Sequence, residues 1–259
     1  MDNKIKEILK KIIDKGYDAY VVGGYVRDKL LGINSKDVDI ATNMPFNELK
    51  ELFVWNKEFP EYYSIKFSIS DYHISITTFR KELKYKNNKP VKIEYTSNIK
   101  EDYLRRDFTI NAIYMDINEN IIDISNSLND LNNKVINIIG NIDIRLKEDK
   151  TRILRALRFM STLDLNLSDE LKEYILNNKD LIVSINYNKK KEELDKIFKT
   201  KGYKKFLNFI KENNLEDAFE VYFNNIKECN NYLEVWKSLK VSDKYIFTKK
   251  EKNYLLNIK

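Results

Sequence analysis

The sequence predicts an α+β protein, in which a small head with a mostly antiparallel sheet precedes an all-helical neck and body. Before residue 100, short strand and helix patterns alternate, and two of the strands have the spacing of a hairpin. From Asp102 to the end, helical spacing of apolar residues dominates. The chain has 259 residues, which is long for one hydrophobic core and comfortable for two or three smaller ones.

Apolar spacing and breaker residues place the elements of the head. A helix, a strand stopped by two glycines, a helix closed by a glycine, a second strand and a helix opened by a proline are predicted at residues 4–15, 20–22, 25–31, 37–41 and 45–53. Residues 62–78 then alternate as a hairpin with a turn at Ser70 and Asp71. A charged loop over residues 80–90, a strand over 91–95 and short strands near 113–116 and 135–139 are also expected.

The composition argues against several kinds of catalytic site. His73 is the only histidine and Cys229 the only cysteine, which disfavours a histidine dyad, a histidine-rich zinc site and a Ser–His–Asp triad. Both residues are expected to be structural. The formal net charge of +6 favours an anionic partner such as nucleic acid. Residues 1–10 lack a signal-peptide core and no apolar run reaches membrane-spanning length, so a cytoplasmic enzyme with no membrane partner is expected.

Two short motifs in the head suggest a nucleotide site. Gly23 and Gly24 end a strand and feed a helix, which lets the backbone approach a phosphate, and Arg27 could add donors. Asp37 and Asp39 are two apart in a strand, so their carboxylates share one face. Such a pair is unfavourable unless a cation shares it, and its oxygen ligands suit Mg²⁺. Taken alone, the glycines are equally typical of a tight turn and the acids of a solvated strand end.

A second group of polar residues lies in residues 101–112. Arg106, Asp107 and Asn111 follow one another closely, and the last two are neighbours if the segment is helical. An Arg and an Asn on one face can hold phosphate oxygens and sugar hydroxyls. A charged helix with local salt bridges is the alternative interpretation.

A third group lies in residues 148–159, which have the pattern of one continuous helix. Asp149, Arg152 and Arg155 share a face at spacings of three, beside an apolar stripe. An acceptor beside a guanidinium can bond the Watson–Crick edge of either cytosine or adenine, since both present an amino group beside a ring nitrogen. Surface ion pairs are the alternative here.

Taken together and in order, these segments resemble the signature of class II tRNA nucleotidyltransferases and bacterial poly(A) polymerases. The matching stretches are VVGGYVRDKLLG at residues 21–32, DVDIAT at 37–42, RRDFTINA at 105–112 and EDKTR at 148–152. The resemblance implies a polymerase-β-like nucleotidyltransferase head. It also implies that Asp37 and Asp39 are the catalytic, metal-binding residues of a two-metal mechanism with Mg²⁺ as the cofactor.

The resemblance also implies a nucleotide-binding set and a division into three regions. The set is Gly23, Gly24, Arg27, Arg106, Asp107, Asn111, Asp149, Arg152, Arg155 and Arg158. Within it, Arg106, Asp107 and Asn111 would face the sugar and phosphates, and the Glu-Asp-x-x-Arg segment would be the amino-acid template for CTP and ATP. The regions are a catalytic head (1–122), a neck that recognises the base (123–185) and a helical body with a short tail that binds RNA (186–259).

The activity implied is template-independent addition of C, C and A from CTP and ATP to the 3′ end of tRNA, with release of pyrophosphate. The loop from Arg80 to Pro90 is nearly as long as in full CCA-adding enzymes, which favours this activity over CC addition. A poly(A) polymerase, or an A-adding or CC-adding specialist, is the alternative with the same chemistry. A second alternative is a catalytically weak RNA-binding relative. The sequence carries no signal for the oligomeric state.

The chain departs from the family pattern at two places in this region. Relatives usually carry an acid five residues before the Arg of the Thr-Thr-Phe-Arg segment, where this sequence has Ser75. Asp71 lies on the same strand face but in the predicted turn, and the missing acid motivates the RNA-binding alternative. Asn126 and Ser127 stand where relatives usually have glycines, which predicts a stiffer hinge.

Beyond residue 166 the match fades. Family members are usually much longer, so the tail that would grip the tRNA elbow is expected to be short or absent. A group of lysines near Tyr203 and Phe206 could follow RNA phosphates or form a solvated helix face; it comprises Lys189, Lys190, Lys191, Lys201, Lys204 and Lys205. Trp236 is expected in the core.

Overall fold

The computed structural model describes residues 1–256, and the chain divides into two compact units. The first unit contains residues 1–133 and 137–141, and the second contains residues 134–136 and the chain from Ile142 onward. The first is an α+β unit and the second is mostly helical, as the sequence predicts. No helix within residues 1–256 is long and apolar enough to cross a membrane.

Helices and strands alternate along the first unit. In chain order they are α1 (Asn3–Ile13), β1 (Ala19–Val22), α2 (Gly24–Leu30), β2 (Asp37–Thr42), α3 (Phe46–Leu52), β3 (Lys57–Phe59), β4 (Ser64–Ile69), β5 (Tyr72–Thr78), β6 (Arg80–Lys86), β7 (Lys89–Tyr95), α4 (Ile99–Leu104), β8 (Tyr114–Met115), β9 (Ile121–Ile122) and α5 (Ser127–Asn132). Short 3₁₀ turns lie at Pro60–Tyr62 and Thr109–Asn111. The predicted helices, strands and hairpin before residue 79 are confirmed to within a few residues at each end.

One sheet forms the frame of this unit, in the order β3-β4-β5-β2-β1-β8-β9. Only the β2–β5 pair within it is parallel, so the predicted mostly antiparallel sheet is confirmed. A single row of directly paired residues crosses six strands: Lys57, Lys66, Ser75, Asp39, Val22 and Tyr114. Directly paired residues point to the same face of a sheet, and this row therefore determines which side chains meet over Asp39.

The charged segment after Arg80 is a hairpin, and the prediction of a loop over residues 80–90 is wrong. Strands β6 and β7 pair with each other as a separate two-stranded sheet. Asn87 and Asn88 connect them with φ angles of 53° and 62°. Asparagine tolerates this left-handed region better than most residues, and two such residues form the tight turn that matches strand twist. The Asn-Asn pair was the available signal, and the high charge of the flanking strands obscured it.

Apolar faces of the helices cover the sheet. Asp2 caps α1 by accepting a hydrogen bond from the Lys4 amide at 2.8 Å, and α1 buries Ile5, Ile8, Leu9 and Ile12. A second part of the core surrounds Phe79 and Tyr114, which are both fully buried. Each large apolar side chain removed from water in this way contributes roughly 1.5–3 kcal/mol, so the face of the sheet that carries Val22 and Tyr114 is fixed by its own packing.

The second unit is helical apart from two short strand pairs. Its elements are β10 (Val135–Ile136), α6 (Ile142–Glu148), α7 (Thr151–Thr162), β11 (Asn166–Leu167), α8 (Asp169–Asn177), α9 (Lys179–Val183), α10 (Tyr187–Phe198), α11 (Tyr203–Glu212), α12 (Glu216–Phe219), β12 (Val221–Tyr222), α13 (Tyr232–Ser238), β13 (Lys240–Val241) and α14 (Lys249–Leu256). Trp236 is 2% exposed and packs edge-on against Phe198 at 4.9 Å, which confirms its place in the core. A Cβ on Gly202 would lie 2.2 Å from the Ser161 carbonyl oxygen, so close packing of α11 on α7 requires glycine there.

The lysine group of the second unit is partly buried. Lys190 is completely buried, and its ammonium donates to the Ala218 carbonyl at 2.9 Å. Lys191 is 8% exposed and pairs with Asp195 at 2.8 Å and with Glu251 at 2.9 Å. Neither lysine is available to follow RNA phosphates, and neither lies on a solvated face, so both interpretations of the sequence are wrong for these two residues.

Candidate active site

The two acids of β2 lie on the same face of the sheet as the buried Val22 and Tyr114, in a part of that face that the core leaves exposed. Asp37 and Asp39 are exposed and Val38 between them is buried, as the alternation of a strand requires. Parallel pairing with β5 places Ser75 directly beside Asp39. Two adjoining cavities of about 380 and 350 Å³ share Asp39, Lys66 and Ser75 in their walls. Asp39 is therefore accessible to a ligand from both cavities, and Asp37 from the cavity of about 350 Å³.

The surroundings of Asp39 disfavour its charge when no cation is present. The carboxylate is open to solvent on one side, but the cavity walls remove water from its other sides, and this desolvation raises its pKa above the usual value. Arg106 and Lys66 act in the opposite direction, and Asp37 adds to the increase. A bound cation would relieve both the desolvation and the repulsion between the two carboxylates.

The donor set fits a hard divalent ion. Two exposed carboxylates on one face offer the oxygen ligands that Mg²⁺ prefers, and this ion usually keeps water and substrate phosphate oxygens as its remaining ligands. Within residues 1–256, no group of three His, Cys, Asp or Glu side chains is arranged to hold a metal. Asp71, the other acid near this strand face, lies in the β4–β5 turn and pairs with Lys36, so it does not replace the acid missing at Ser75.

Gly23 is required by its backbone angle and by its neighbour. Its φ angle is +82°, a conformation that L side chains rarely adopt. A Cβ at this position would lie 3.3 Å from the Asp39 Oδ2 atom. The glycine therefore lets the β1–α2 backbone pass close to the carboxylate, and Gly24 begins the helix that follows. Because α2 has only seven residues, close backbone approach matters more here than the dipole of the helix.

Arg27 is turned into the protein. Its side chain is 7% exposed and its guanidinium donates to Asp28 Oδ1 at 2.6 and 2.9 Å and to Asn111 Oδ1 at 2.5 Å. Asn111 in turn donates to Asp107 Oδ1 at 3.3 Å. These bonds occupy much of the donor fork that the sequence suggested for a triphosphate. In the structure, Arg27 holds Asn111 in place.

Asp107 and Asn111 are close, but they do not share an α-helix. Helix α4 ends at Leu104, and a 3₁₀ turn from Thr109 to Asn111 follows after a break. Asp107 also accepts a hydrogen bond from the Phe108 amide at 2.8 Å. The i, i+4 contact therefore arises from a tight turn, which presents Asp107 and Asn111 differently from two residues on one helical face.

Arg105 and Arg106 are held by a buried acid that the sequence interpretation missed. Asp102 is fully buried, and its two carboxylate oxygens accept from Arg105 Nε at 2.7 Å and from Arg106 Nη2 at 2.9 Å. Tyr114 donates to the same carboxylate at 3.0 Å and accepts from Arg106 Nε at 2.9 Å. Arg105 and Arg106 both line the larger cavity together with Asp39. Asp102 thus fixes the direction in which two guanidinium groups face the acids.

The electrostatics of this cluster keep Asp102 and Arg106 charged and Tyr114 neutral. Burial opposes ionisation of Asp102, but Arg105 and Arg106 outweigh it and lower its pKa to about 2. Burial likewise opposes the charge of Arg106, but Tyr114 and Asp102 raise its pKa above the usual value. Burial raises the pKa of Tyr114, so it stays a neutral donor. Two positive charges therefore border the cavity at neutral pH.

The segment predicted as one helix over residues 148–159 is broken in the structure. Helix α6 ends at Glu148 and α7 begins at Thr151, and Asp149 lies between them. Its Oδ1 accepts from the Thr151 amide at 2.9 Å and from the Thr151 hydroxyl at 2.6 Å. The prediction of a continuous helix is wrong at this point, because the Asp-x-Thr contact turns the chain before α7 starts.

The three arginines of α7 differ in their environments. Arg152 is 4% exposed, bonds the Arg145 carbonyl and lies 3.5 Å from Glu148. Arg158 pairs with Glu193 at 2.6 Å and lies over the Phe159 ring at 4.1 Å, and Arg155 lies 5.7 Å from the same ring. All four predicted base-recognition residues lie in the second unit. Arg155 and Arg158, both half-buried, share one face of α7.

Known proteins similar to this chain include the family that the sequence motifs resemble. Residues 19–137 match the poly A polymerase head domain. The CCA-adding enzyme of Bacillus pumilus is 35% identical over 230 residues, which is 83% of this chain and 57% of that relative. Residues 19–137 thus belong to the poly A polymerase head-domain family, and CCA-adding enzymes are relatives of the chain. Nucleotidyltransferases of this family are generally metal-dependent.

Solved structures of the tRNA nucleotidyltransferase family have the same fold. The CCA-adding enzyme of Bacillus stearothermophilus in complex with CTP has a TM-score of 0.74 and 28% identity, over 84% of this chain and 53% of that one. A tRNA nucleotidyltransferase complexed with a primer tRNA and an incoming ATP analog has a TM-score of 0.68 and 29% identity, over 90% of this chain and 66% of that one. The chain spans about half the length of the curated relatives it matches.

The pairing register of the strands brings residues outside the family motifs to the site. Sequence spacing identified Asp37 and Asp39, but the residues beside them come from strands whose pairing is not encoded locally. The structure brings Asp39, Ser75 and Lys66 into one row and adds Arg105 and Arg106 from α4 and its end. Lys66, Asp102 and Tyr114 were not predicted as site residues. The charge of Asp102 within a helical pattern was the only available signal for its role.

Proposed function

We propose that this chain adds C, C and A from CTP and ATP to the 3′ end of tRNA and releases pyrophosphate. The observation that carries the proposal is the position of Asp37 and Asp39, which lie on one face of β2, with Asp39 in an open cavity that Arg105 and Arg106 also line. The relatives named CCA-adding enzymes support the same activity. The proposed partners are CTP, ATP and the tRNA 3′ end, in agreement with the CTP and primer-tRNA complexes of the solved relatives.

The proposed reaction is an in-line displacement at phosphorus. The 3′ oxygen of the RNA forms a bond to the α-phosphorus of the nucleotide, and the bond from that phosphorus to the bridging oxygen breaks. Pyrophosphate leaves with the bonding electrons, and the hydroxyl proton passes to solvent. Mg²⁺, held by Asp37 and Asp39, would supply acidification of the hydroxyl and neutralisation of the phosphate charge. Arg105 and Arg106 stabilise the negative charge of the phosphates from the other side of the cavity.

Base selection is assigned to the second unit as a proposal. Asp149, Arg152, Arg155 and Arg158 are the residues proposed for recognition of the base. Because Arg152 is buried and bonded to a backbone carbonyl, we expect it to orient the turn around Asp149. Arg155 and Arg158, both half-buried on one face of α7, are then the guanidinium groups that we propose contact the base. We propose three functional regions: a head at residues 1–122, a neck at residues 123–185 and a body from residue 186 onward. We also propose a cytoplasmic location.

The serine at position 75, where relatives usually have an acid, supports a second candidate function. Without a third acid near Asp39, the chain would be a catalytically weak relative that binds RNA. A poly(A) polymerase, or an A-adding or CC-adding specialist, would share the site, and nucleotide selectivity separates it from the main proposal.

The test is single-turnover extension of a tRNA transcript that lacks its CCA end, with each nucleotide alone and with CTP plus ATP. The proposal expects growth by three nucleotides followed by arrest, and loss of extension in Asp39→Ala. Addition of C alone, of a single A or of a long A tract replaces the subtype and keeps the chemistry. Absence of extension with intact tRNA binding refutes the enzyme and favours the RNA-binding relative.

A further inference from the structure

Two lysines lie in the same row of the sheet as the catalytic acid. Strand pairing sets Lys57 opposite Lys66, Lys66 opposite Ser75, and Ser75 opposite Asp39. All four side chains therefore point to one face. Both lysines are exposed and both line the cavity of about 350 Å³ that also contains Asp37 and Asp39. The cavity thus has an acidic side and a basic side.

The two lysines differ from the cavity arginines because neither forms a salt bridge within residues 1–256. The arginines of the adjoining cavity pair with acids, Arg80 with Glu82 and both Arg105 and Arg106 with Asp102. Neither Lys57 nor Lys66 makes an ion pair with any carboxylate of residues 1–256. Like charges directly opposite each other on a sheet are destabilising. Lys66 acts on Asp39 through space, which opposes the rise in the Asp39 pKa. Since this attraction offsets only part of the charge of the two lysines, the pair at the cavity wall is expected to bind an anion.

Ser75 keeps this pair available. Cross-strand partners have Cβ atoms about 4.5–5.5 Å apart, so an acid at residue 75 would meet the Lys66 ammonium directly. The serine cannot neutralise it. The departure from the family pattern at Ser75 and the exposed charge of Lys66 are therefore linked by the register of β4 and β5.

The position of the pair in the sheet indicates which anion it binds. Gly23, beside Asp39 on the β1 side, is the proposed approach for the nucleotide phosphates, whereas the lysines lie on the β4 side. Strands β2 and β4 are about 10 Å apart, at about 4.8 Å for each pair of neighbours. The two groups thus flank the acids from opposite sides. Lys66 lies over the half-buried Phe59 ring at 5.3 Å, and proteins bind single-stranded nucleic acid in grooves that combine positive charges with aromatic side chains.

We propose that Lys57 and Lys66 form a phosphate-binding subsite for the terminal phosphodiesters of the RNA strand, and that Ser75 keeps this subsite open. The inference rests on the proposed function and adds a subsite to the same active site. It assigns Lys66 to the phosphate nearest Asp39 and Lys57 to the next one toward the edge of the sheet.

The test measures binding of a labelled tRNA transcript lacking CCA by fluorescence anisotropy, without divalent metal, at several salt concentrations. Lys66→Met and Lys57→Met are each expected to weaken binding by roughly threefold to tenfold. Each should also reduce the salt slope, which is the slope of the logarithm of the binding constant against the logarithm of the salt concentration, by about 0.7 in magnitude. Lys15→Met is the matched control, because Lys15 is also exposed and lies in the turn after α1. It should leave the slope unchanged. Thermal unfolding of each variant verifies that the fold is retained.

A second pair of variants tests the link to Ser75. Ser75→Glu is expected to weaken tRNA binding as much as Lys66→Met does, and the double variant should lose little more. Tighter or unchanged tRNA binding by Ser75→Glu overturns that link. Unchanged binding and slope in both lysine variants overturns the subsite.

Calorimetric titration with CTP distinguishes the two substrates. CTP affinity is expected to be the same in Lys66→Met and in the unmodified protein. Weaker CTP binding with unchanged tRNA binding overturns the assignment to the RNA strand. The extension assay is judged separately: if the unmodified protein adds no nucleotide, the proposed function fails, whereas the subsite is decided by binding alone.

Discussion

Replacement of Asp102 by asparagine removes the carboxylate that positions both arginines of the cavity. The side chain keeps its size, but it loses the charge that attracts Arg105 and Arg106 and one of its acceptor oxygens. Tyr114 also loses a charged acceptor. Because Asp102 is fully buried, solvent cannot replace these bonds.

The magnitude follows from the pKa of Asp102 in the folded protein. This pKa falls from 3.8 to about 2 because Arg105 and Arg106 outweigh the effect of burial, and one pKa unit corresponds to about 1.36 kcal/mol. The charged form is therefore favoured by about 2 kcal/mol. The loss of stability is larger because Arg105 and Arg106 would then lack a charged partner. Removal of one member of a buried ion pair typically costs about 3–5 kcal/mol. We expect Asp102→Asn to lower the free energy of unfolding by about 2–4 kcal/mol at pH 7.

The loss of stability in Asp102→Asn should depend on pH. A carboxyl whose pKa is lowered by folding stabilises the protein above its unfolded pKa, and this stability is lost as the pH falls through the folded value. The difference between Asp102→Asn and the unmodified protein should thus be complete above pH 5 and should narrow between about pH 4 and pH 2.

The assay is urea unfolding followed by circular dichroism from pH 7 down to the lowest pH at which both proteins fold. Asp71→Asn is the matched control, since Asp71 pairs with Lys36 and both side chains are exposed; it should change stability far less. A difference between Asp102→Asn and the unmodified protein that stays constant down to pH 2, or one no larger than that of Asp71→Asn, would refute the reasoning. Nucleotide addition by Asp102→Asn should also fall, because Arg106 is no longer aimed at the cavity.

Three further predictions concern the backbone at the site, the buried lysine and the hairpin turn. Gly23→Ala should lower the free energy of unfolding by about 1–3 kcal/mol, because φ is +82° there and a Cβ would meet Asp39; chemical denaturation that shows no loss would contradict this. Burial lowers the pKa of Lys190 to about 8, so its charge destabilises the fold at pH 7 and this cost disappears as the pH rises from 8 toward 10.5. Lys190→Met should therefore raise stability at pH 7 by about 1–2 kcal/mol, after loss of the bond to Ala218, and the gain should shrink by pH 10; urea unfolding at both pH values checks the sign. Asn88→Gly should raise stability by about 0.5–1 kcal/mol, because φ is 62° at this turn position; a lower melting temperature would count against the assigned turn.

Local sequence patterns sufficed for much of the head. The order of strands and helices, the turn at Ser70 and Asp71, and the shared face of Asp37 and Asp39 follow from spacing of two or of three to four residues. These features depend on neighbours within a few positions of the chain. Where a local signal was mixed, as in the charged β6–β7 hairpin and the break at Asp149, the prediction was wrong.

The charge state and the partners of the side chains required the tertiary structure. Lys190 has the sequence environment of a solvated lysine, yet packing of α10 in the second unit buries it completely. Arg27 has the position of a phosphate ligand, yet Asn111, far along the chain, takes one of its donors. Neither outcome can be inferred from spacing, because each depends on an element that is distant in sequence.

The sequence by itself determined the family, the two carboxylates and the fold class of each half, because helical and strand periodicity and short motifs are local. Only the tertiary structure placed Lys66 and Ser75 in the row of Asp39 and buried Asp102 under two arginines. The physical reason is register: a one-residue slip in strand pairing would turn every side chain of a strand to the other face. That register is set by the packing of the whole sheet.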